Sequence, residues 1–181
     1  FPLAESGLRR AIAKLLDGGG TTNVGLENNL YLDLAIVVAA QGKLDEATTL
    51  LARVGPQVEA SGDRRDQARL AGYKAKVAEL NGNREQAKAF AADAVEQWRV
   101  LAEPADHSVP APEADGELAM ALNSEARLML RDREIAAAAI KASEALLLFN
   151  KAAGAPRWWR AEILATLGEV SVAGGRISAA E

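Results

Sequence analysis

The sequence predicts an all-α fold built from stacked helix hairpins, and three observations lead to this prediction. Ala, Leu and Val supply most of a 49% hydrophobic fraction, whereas aromatic residues make up only 4% of the chain. Apolar residues recur at steps of three and four, the spacing of an amphipathic helix. A short turn phrase returns at four places along the chain, as expected of a repeat architecture.

The turn phrase reads GKLDEA from Gly42, GNREQA from Gly82, DREIAA from Asp132 and GRISAA from Gly175. In every copy Ala follows the first residue after five positions. Glycine can take the positive φ of a helix C-cap, so the phrase is typical of a turn between two helices. The longest gap between copies contains residues 103–116, where three prolines predict a loop.

Apolar spacing and chain breakers place the helices in order. The first ends at the glycine-rich DGGGTTN segment, the others at the turn phrases, at the proline-rich loop and at Gly154–Pro156. The predicted helices are 3–17, 26–41, 44–60, 64–81, 84–102, 115–131, 133–152 and 157–173, with a ninth beginning at 176. Residues 64–81 carry one bulky and one small apolar stripe, which suits a helix that packs on two sides.

Two units resemble the tetratricopeptide repeat family in every spaced position. They comprise Tyr31, Leu34, Ala35, Gly42 and Ala47, and Leu164, Leu167, Gly168, Gly175 and Ala180. Two other units match less well, because Lys74 stands at a Leu position and Glu125 at a small one. The resemblance implies a right-handed α–α superhelix of about four antiparallel helix pairs.

That resemblance also organises the chain as one domain over residues 1–181. Its units are about 26–60, 64–102, 115–152 and an incomplete 157–181, while helix 3–17 is the second helix of an earlier unit. A period above 40 residues is similar to the elongated repeats of large bacterial signalling proteins, which implies attachment to a kinase, a nucleotide switch or a DNA-binding domain. Because a repeat helix needs its partner, we expect the chain to be a fragment of a longer protein.

Composition narrows the possible partners and the compartment. A net charge of -4 argues against a nucleic-acid or anionic-membrane partner. The apolar run from Leu30 to Ala40 is too short to cross a bilayer and contains Asp33. The absence of cysteine excludes a disulfide framework. We expect a cytoplasmic protein, with a periplasmic location left open.

No pattern in the sequence indicates catalysis, a cofactor or a metal site. His107 is the only histidine and falls in the proline-rich loop, without the further ligands or partners that a metal or a triad would need. The segment DGGGTTN lacks the lysine of a phosphate-binding loop. The prediction is therefore that the chain is not an enzyme.

The predicted function is a protein–protein interaction scaffold that binds a protein segment in a concave groove. The resemblance implies that first helices line this groove, which gives the candidates Asn29, Leu32, Ile36, Ala39, Arg69, Lys76 and Glu79. One ring of the pair Trp158 and Trp159 should pack in the core, and Trp158 is a candidate anchor for the partner. The alternative is a regulatory sensor with Trp98 and this pair lining a small-ligand pocket.

One glycine of the best-matched unit carries a packing prediction. Gly168 should lie where its helix crosses the following helix, so that valine at this position would destabilise the fold by overpacking.

Overall fold

The computed structural model describes residues 2–17, 24–103, 113–152 and 154–175, and over these ranges it contains eight helices and no strand. The helices are α1 (Pro2–Asp17), α2 (Val24–Ala39), α3 (Leu44–Ser61), α4 (Arg64–Leu80), α5 (Arg84–Ala102), α6 (Ala114–Arg131), α7 (Ile135–Lys151) and α8 (Arg157–Ala173). The all-α prediction is confirmed, and every predicted helix boundary in these ranges falls within two residues of the observed one. The predicted ninth helix lies outside the described residues.

The chain divides into two compact units, residues 1–90 and 91–181, with the boundary inside α5. In the first unit α1 packs on α2, α2 on α3 and α3 on α4, and α2 also touches α4. In the second unit α6 packs on α7, α7 on α8, and α6 also touches α8. Neighbouring helices therefore pack in pairs, and each unit brings the first helix of one hairpin against the first helix of the next.

Small residues on the facing sides let the hairpin helices approach closely. In the first unit Ala35 and Ala47 are fully buried, and Leu34 and Val54 fill the space beside them. The second unit repeats this arrangement with a fully buried alanine stripe on α7, formed by Ala138, Ala142 and Ala145. Each buried Leu or Val side chain contributes about 1.5–3 kcal/mol, so these interfaces are the main source of stability.

Three helix–helix turns share one backbone geometry. The residues at their centres, Gly42, Gly82 and Arg133, have φ values of 80°, 75° and 62°. In each turn the next N–H donates to the carbonyl five residues earlier: Lys43 to Val38, Asn83 to Ala78 and Glu134 to Met129, at 3.0, 2.9 and 2.9 Å. This is the Schellman motif, which satisfies carbonyl groups left free at a helix end.

The shared geometry corrects the predicted register of the third copy by one residue. The left-handed position is Arg133 and not Asp132. Five positions later stands Ala138, which is fully buried like Ala47 and Ala87, instead of the predicted Ala137. The small position seven residues before the turn is then Ala126, which is also fully buried, and not Glu125. The error arose because this turn has no glycine to mark its left-handed residue.

The proline-rich loop was predicted to end too late. Residues 114–116 belong to α6, and Gly116 is buried inside that helix. A Cβ on Gly116 would lie 3.3 Å from the Trp159 ring and 3.4 Å from Ala155 Cβ, so α6 packs closely here. Residues 104–112 of the predicted loop, including His107, lie outside the described ranges.

The close approach predicted at Gly168 is not seen among the described residues. Apart from its chain neighbours and the adjacent backbone of α8, no heavy atom among them lies within 4 Å of a Cβ placed on Gly168. The helix that was predicted to cross there begins at 176 and falls outside the described ranges.

Within these ranges, no helix combines the length and the apolar character that crossing a bilayer requires.

Candidate partner-binding grooves

An open hollow of about 320 Å³ lies between the two first helices of the second unit. Its lining comes from α6, with Arg127, Leu130 and Arg131, and from α8, with Glu162, Ala165, Thr166 and Glu169. One wall therefore carries two guanidinium groups and the other two carboxylates. The buried Thr166 hydroxyl donates to the Glu162 carbonyl at 3.2 Å, so its hydrogen bond is already made within α8.

The residues of this hollow occupy fixed positions before the turn residues Arg133 and Gly175. On α6, the counts to Arg133 are six for Arg127, three for Leu130 and two for Arg131. On α8, the counts to Gly175 are 13 for Glu162, ten for Ala165, nine for Thr166 and six for Glu169. The same counts from Gly42 give Ile36 and Ala39 on α2 and Ala40 just after it, and from Gly82 they give Arg69, Gly72, Tyr73 and Lys76 on α4. Four of the residues predicted to line the groove, Ile36, Ala39, Arg69 and Lys76, are therefore counterparts of residues in the observed hollow.

Of the predicted residues on α2, two are accessible and two are not. Asn29 and Ile36 are half-buried, with part of each side chain open to solvent. Leu32 and Ala39 are only 1% and 3% exposed and belong to the hydrophobic core of the first unit. The prediction is wrong for these two residues, because a partner in the groove could not reach them.

Of the predicted residues on α4, Arg69 and Lys76 are partly exposed, and the side chain of Glu79 is only 10% exposed. Lys76 donates to Glu79 at 2.9 Å one turn later, so these two candidates are paired with each other. Arg69 is half-buried, one turn after Asp66. Burial raises the pKa of the Asp66 carboxyl, as does the neighbouring Asp63, and the positive charge of Arg69 opposes this shift.

One contact between α2 and α4 was missed by the sequence analysis. The Tyr73 hydroxyl donates to Asp33 Oδ1 at 2.6 Å and so joins α4 to α2. Both residues stand nine positions before their turn glycines, Gly82 and Gly42. The repeat register was therefore the signal that could have found them, because equivalent positions of successive first helices come side by side.

The adjacent tryptophans point in different directions, as predicted for consecutive helix positions. Trp158 is 61% exposed, while Trp159 is half-buried against α6. Their rings meet edge to face, with centroids 5.9 Å apart. Trp159 also borders a hollow of about 120 Å³ with Gly116 and Pro156. Trp98 is buried, at 2% exposure.

Among the described residues, no group of three histidine, cysteine, aspartate or glutamate side chains could hold a metal ion. The polar groups of the α6–α8 hollow and of the accessible side of α4 are guanidinium, ammonium, carboxylate and hydroxyl groups that suit reversible ionic and hydrogen-bonding contacts.

No protein-family model matches the chain, and no curated protein shows significant similarity to it. The tetratricopeptide resemblance thus rests on the spacing of the sequence motif alone.

Proposed function

We propose that the chain is a non-catalytic protein–protein interaction module that binds a protein segment along the accessible faces of its first helices. The observation that carries the proposal is the positional equivalence between the α6–α8 hollow and the partly exposed residues of α2 and α4. In the first unit the counterparts Ile36, Arg69, Tyr73 and Lys76 are partly exposed, and in the second unit the equivalent positions line a hollow. A repeated accessible face suits an extended partner that makes similar contacts at successive repeats.

The charges at these positions supply a basis for specificity. Arg69 and Lys76 on α4 correspond to Glu162 and Glu169 on α8. A segment bound at α4 should therefore carry acidic side chains, and one bound in the hollow should carry basic side chains towards α8 and acidic ones towards Arg127 and Arg131 of α6. Such charges at the edge of an interface mainly set the association rate and the choice of partner, whereas desolvated apolar contacts supply more of the affinity.

The test is selection of binding peptides from a random displayed library, followed by fluorescence anisotropy of the selected peptides. We expect a class rich in Asp and Glu whose affinity falls at least tenfold in the double variant Arg69→Glu with Lys76→Glu. The double variant Arg10→Glu with Lys14→Glu serves as the control, because both residues are exposed cations on α1 and the change in net charge is the same. Equal loss of binding in both variants would show that only net charge matters and would overturn the proposal.

The alternative, a regulatory sensor for a small ligand, has one observation in its favour, the hollow beside Trp159. Its volume of about 120 Å³ is below the roughly 300–1,000 Å³ of small-molecule sites. Tryptophan fluorescence against a panel of metabolites distinguishes the two functions. A saturable response that Trp159→Phe abolishes would favour the sensor over the peptide-binding module.

A further inference from the structure

Helix α1 buries fewer residues than any other described helix. Ile12 is its one buried residue, at 8% exposure, whereas each of the other seven helices buries at least three. Leu8 is half-buried against the same hydrophobic core. Near the two ends of the helix, Leu3 and Leu16 are 89% and 48% exposed. Only a short apolar contact therefore holds α1 on α2.

Charged contacts join α1 to the turn after α2 and to the start of α3. The Glu5 carboxylate accepts hydrogen bonds from Lys43 Nζ and Gln41 Nε2, both at 2.9 Å. Arg9 donates to Glu46 on α3. The side chains of Arg9, Lys43 and Glu46 are 46%, 44% and 36% exposed. Because dissolved ions screen exposed charges, these contacts should weaken as the salt concentration rises.

The rest of the first unit has a core of its own. Ile12 is the one buried member of this core that α1 supplies, and all the others belong to α2, α3 and α4. Leu34 and Val38 of α2 and Val54 and Val58 of α3 are at most 2% exposed in it. Helix α2 packs on α3 and α4 as well as on α1. A segment with few buried contacts opens at a lower free energy than the domain around it, so α1 can leave while α2, α3 and α4 stay packed.

We propose that α1 is a salt-sensitive lid on α2, which undocks as a separate helix while the remainder of the first unit stays folded. The docked state is favoured in dilute buffer, because Ile12 is then buried and Glu5 has its partners assembled. Rising ionic strength weakens the charged contacts and increases the undocked fraction. Undocking exposes part of the apolar surface of α2. The proposal rests on the contacts of α1 and is independent of the peptide-binding function.

The first experiment measures amide hydrogen exchange of the full chain by mass spectrometry at low and high salt. We expect α1 to be at least about tenfold less protected than α3, because it opens without the rest of the unit. Raising sodium chloride from about 0.01 to about 1 M shortens the Debye length from roughly 30 to 3 Å and should lower the protection of α1 by about threefold. The protection of α3 should not fall. Equal protection of α1 and α3 would overturn the proposal, since α1 would then open only with the whole unit.

A double variant tests the charged contacts in the same measurement. Glu5→Gln with Glu46→Gln should lower the protection of α1 at low salt and remove its salt dependence. Glu59→Gln with Glu85→Gln is the matched control, because both residues are exposed carboxylates outside α1 and the change in net charge is the same. If α1 keeps the same salt dependence in both double variants, these contacts do not hold the lid and the proposal is wrong.

The second experiment uses the absence of native cysteine. The single thiol of Ile12→Cys should react with an aromatic disulfide reagent while the chain is folded, and it should react faster at high salt. Val58→Cys is the control, because Val58 on α3 is fully buried in the same core and should react only when the whole unit unfolds. Equal reaction rates in the two variants would contradict separate undocking of α1. Circular dichroism of each variant confirms that it is folded.

Discussion

Arg133 adopts the same left-handed backbone conformation as Gly42, with φ values of 62° and 80°. In both turns the next residue donates its N–H to the carbonyl five positions earlier. The left-handed conformation costs a residue with a Cβ about 1–2 kcal/mol, whereas glycine adopts it freely. The turn between α6 and α7 therefore forms against the backbone preference of Arg133.

Arg133→Gly should raise the free energy of unfolding by about 1 kcal/mol, because it removes this backbone cost. Gly42→Ala should lower it by a similar amount, since nothing lies within 4 Å of the added Cβ and only the backbone is strained. Urea denaturation measures both changes. Arg133→Ala is the control, since it removes the same side chain but keeps a Cβ. An equal gain from alanine and glycine would show that the side chain, and not φ, was the cause.

Arg133 also shows why the sequence predicted some turns correctly and placed the third one wrongly. Glycine marked the turns at Gly42 and Gly82, and the helices on either side were predicted closely because their apolar spacing and breakers are local signals. Tertiary packing imposed the third turn on Arg133, a residue that gives no local signal for positive φ. The predicted register there slipped by one position as a result.

The division between core and groove on α2 gives a second prediction. Leu32→Ala should lower the free energy of unfolding by about 2–5 kcal/mol, because Leu32 is 1% exposed and its truncation leaves a cavity. Ile36→Ala should cost clearly less, because Ile36 is half-buried at the edge of the same core. Urea denaturation of the two variants side by side gives the comparison. A larger loss for Ile36→Ala would reverse our assignment of the two positions.

This division could not be predicted from the sequence, and the reason is physical. Helix α2 is apolar on nearly all sides, because it packs on α1, α3 and α4. In a helix without a wide polar face, apolar residues are not gathered on one side, so their spacing cannot distinguish core from groove. On α4 the charged Arg69 and Lys76 marked the accessible face, and both are partly exposed, whereas the side chain of Glu79 is only 10% exposed.

The close packing of α6 and α8 gives a third prediction. Gly116→Val should lower the free energy of unfolding by about 1–3 kcal/mol, because even a Cβ would meet the Trp159 ring at 3.3 Å. Gly72→Val on α4 is the control, since nothing lies within 4 Å of a Cβ at that position. Thermal unfolding followed by circular dichroism measures both variants. Gly116→Val with the stability of the parent chain would show that Trp159 can move away without cost.

Glu5 ties α1 to the turn between α2 and α3 and gives the last prediction. Its carboxylate accepts hydrogen bonds from Lys43 Nζ, Gln41 Nε2 and Arg9 Nη2 at 2.9, 2.9 and 2.8 Å. These hydrogen bonds lower the pKa of Glu5 from 4.5 to about 2. The bond from Lys43 has the largest effect, followed by those from Arg9 and Gln41. The carboxylate thus prefers the folded state, in which its partners are assembled.

A lowered pKa in the folded state fixes the sign of the pH dependence. The stability from Glu5 is fully present above its unfolded pKa of 4.5 and is lost as the pH falls through about 2. Glu5→Gln should therefore be less stable than the parent chain above pH 4.5, with the difference shrinking towards zero near pH 2. Urea denaturation across this range measures the difference, and Glu59→Gln, at an exposed carboxylate on α3, is the control. A difference that stays constant down to pH 2 would show that the glutamine acts through packing and not through the lost charge.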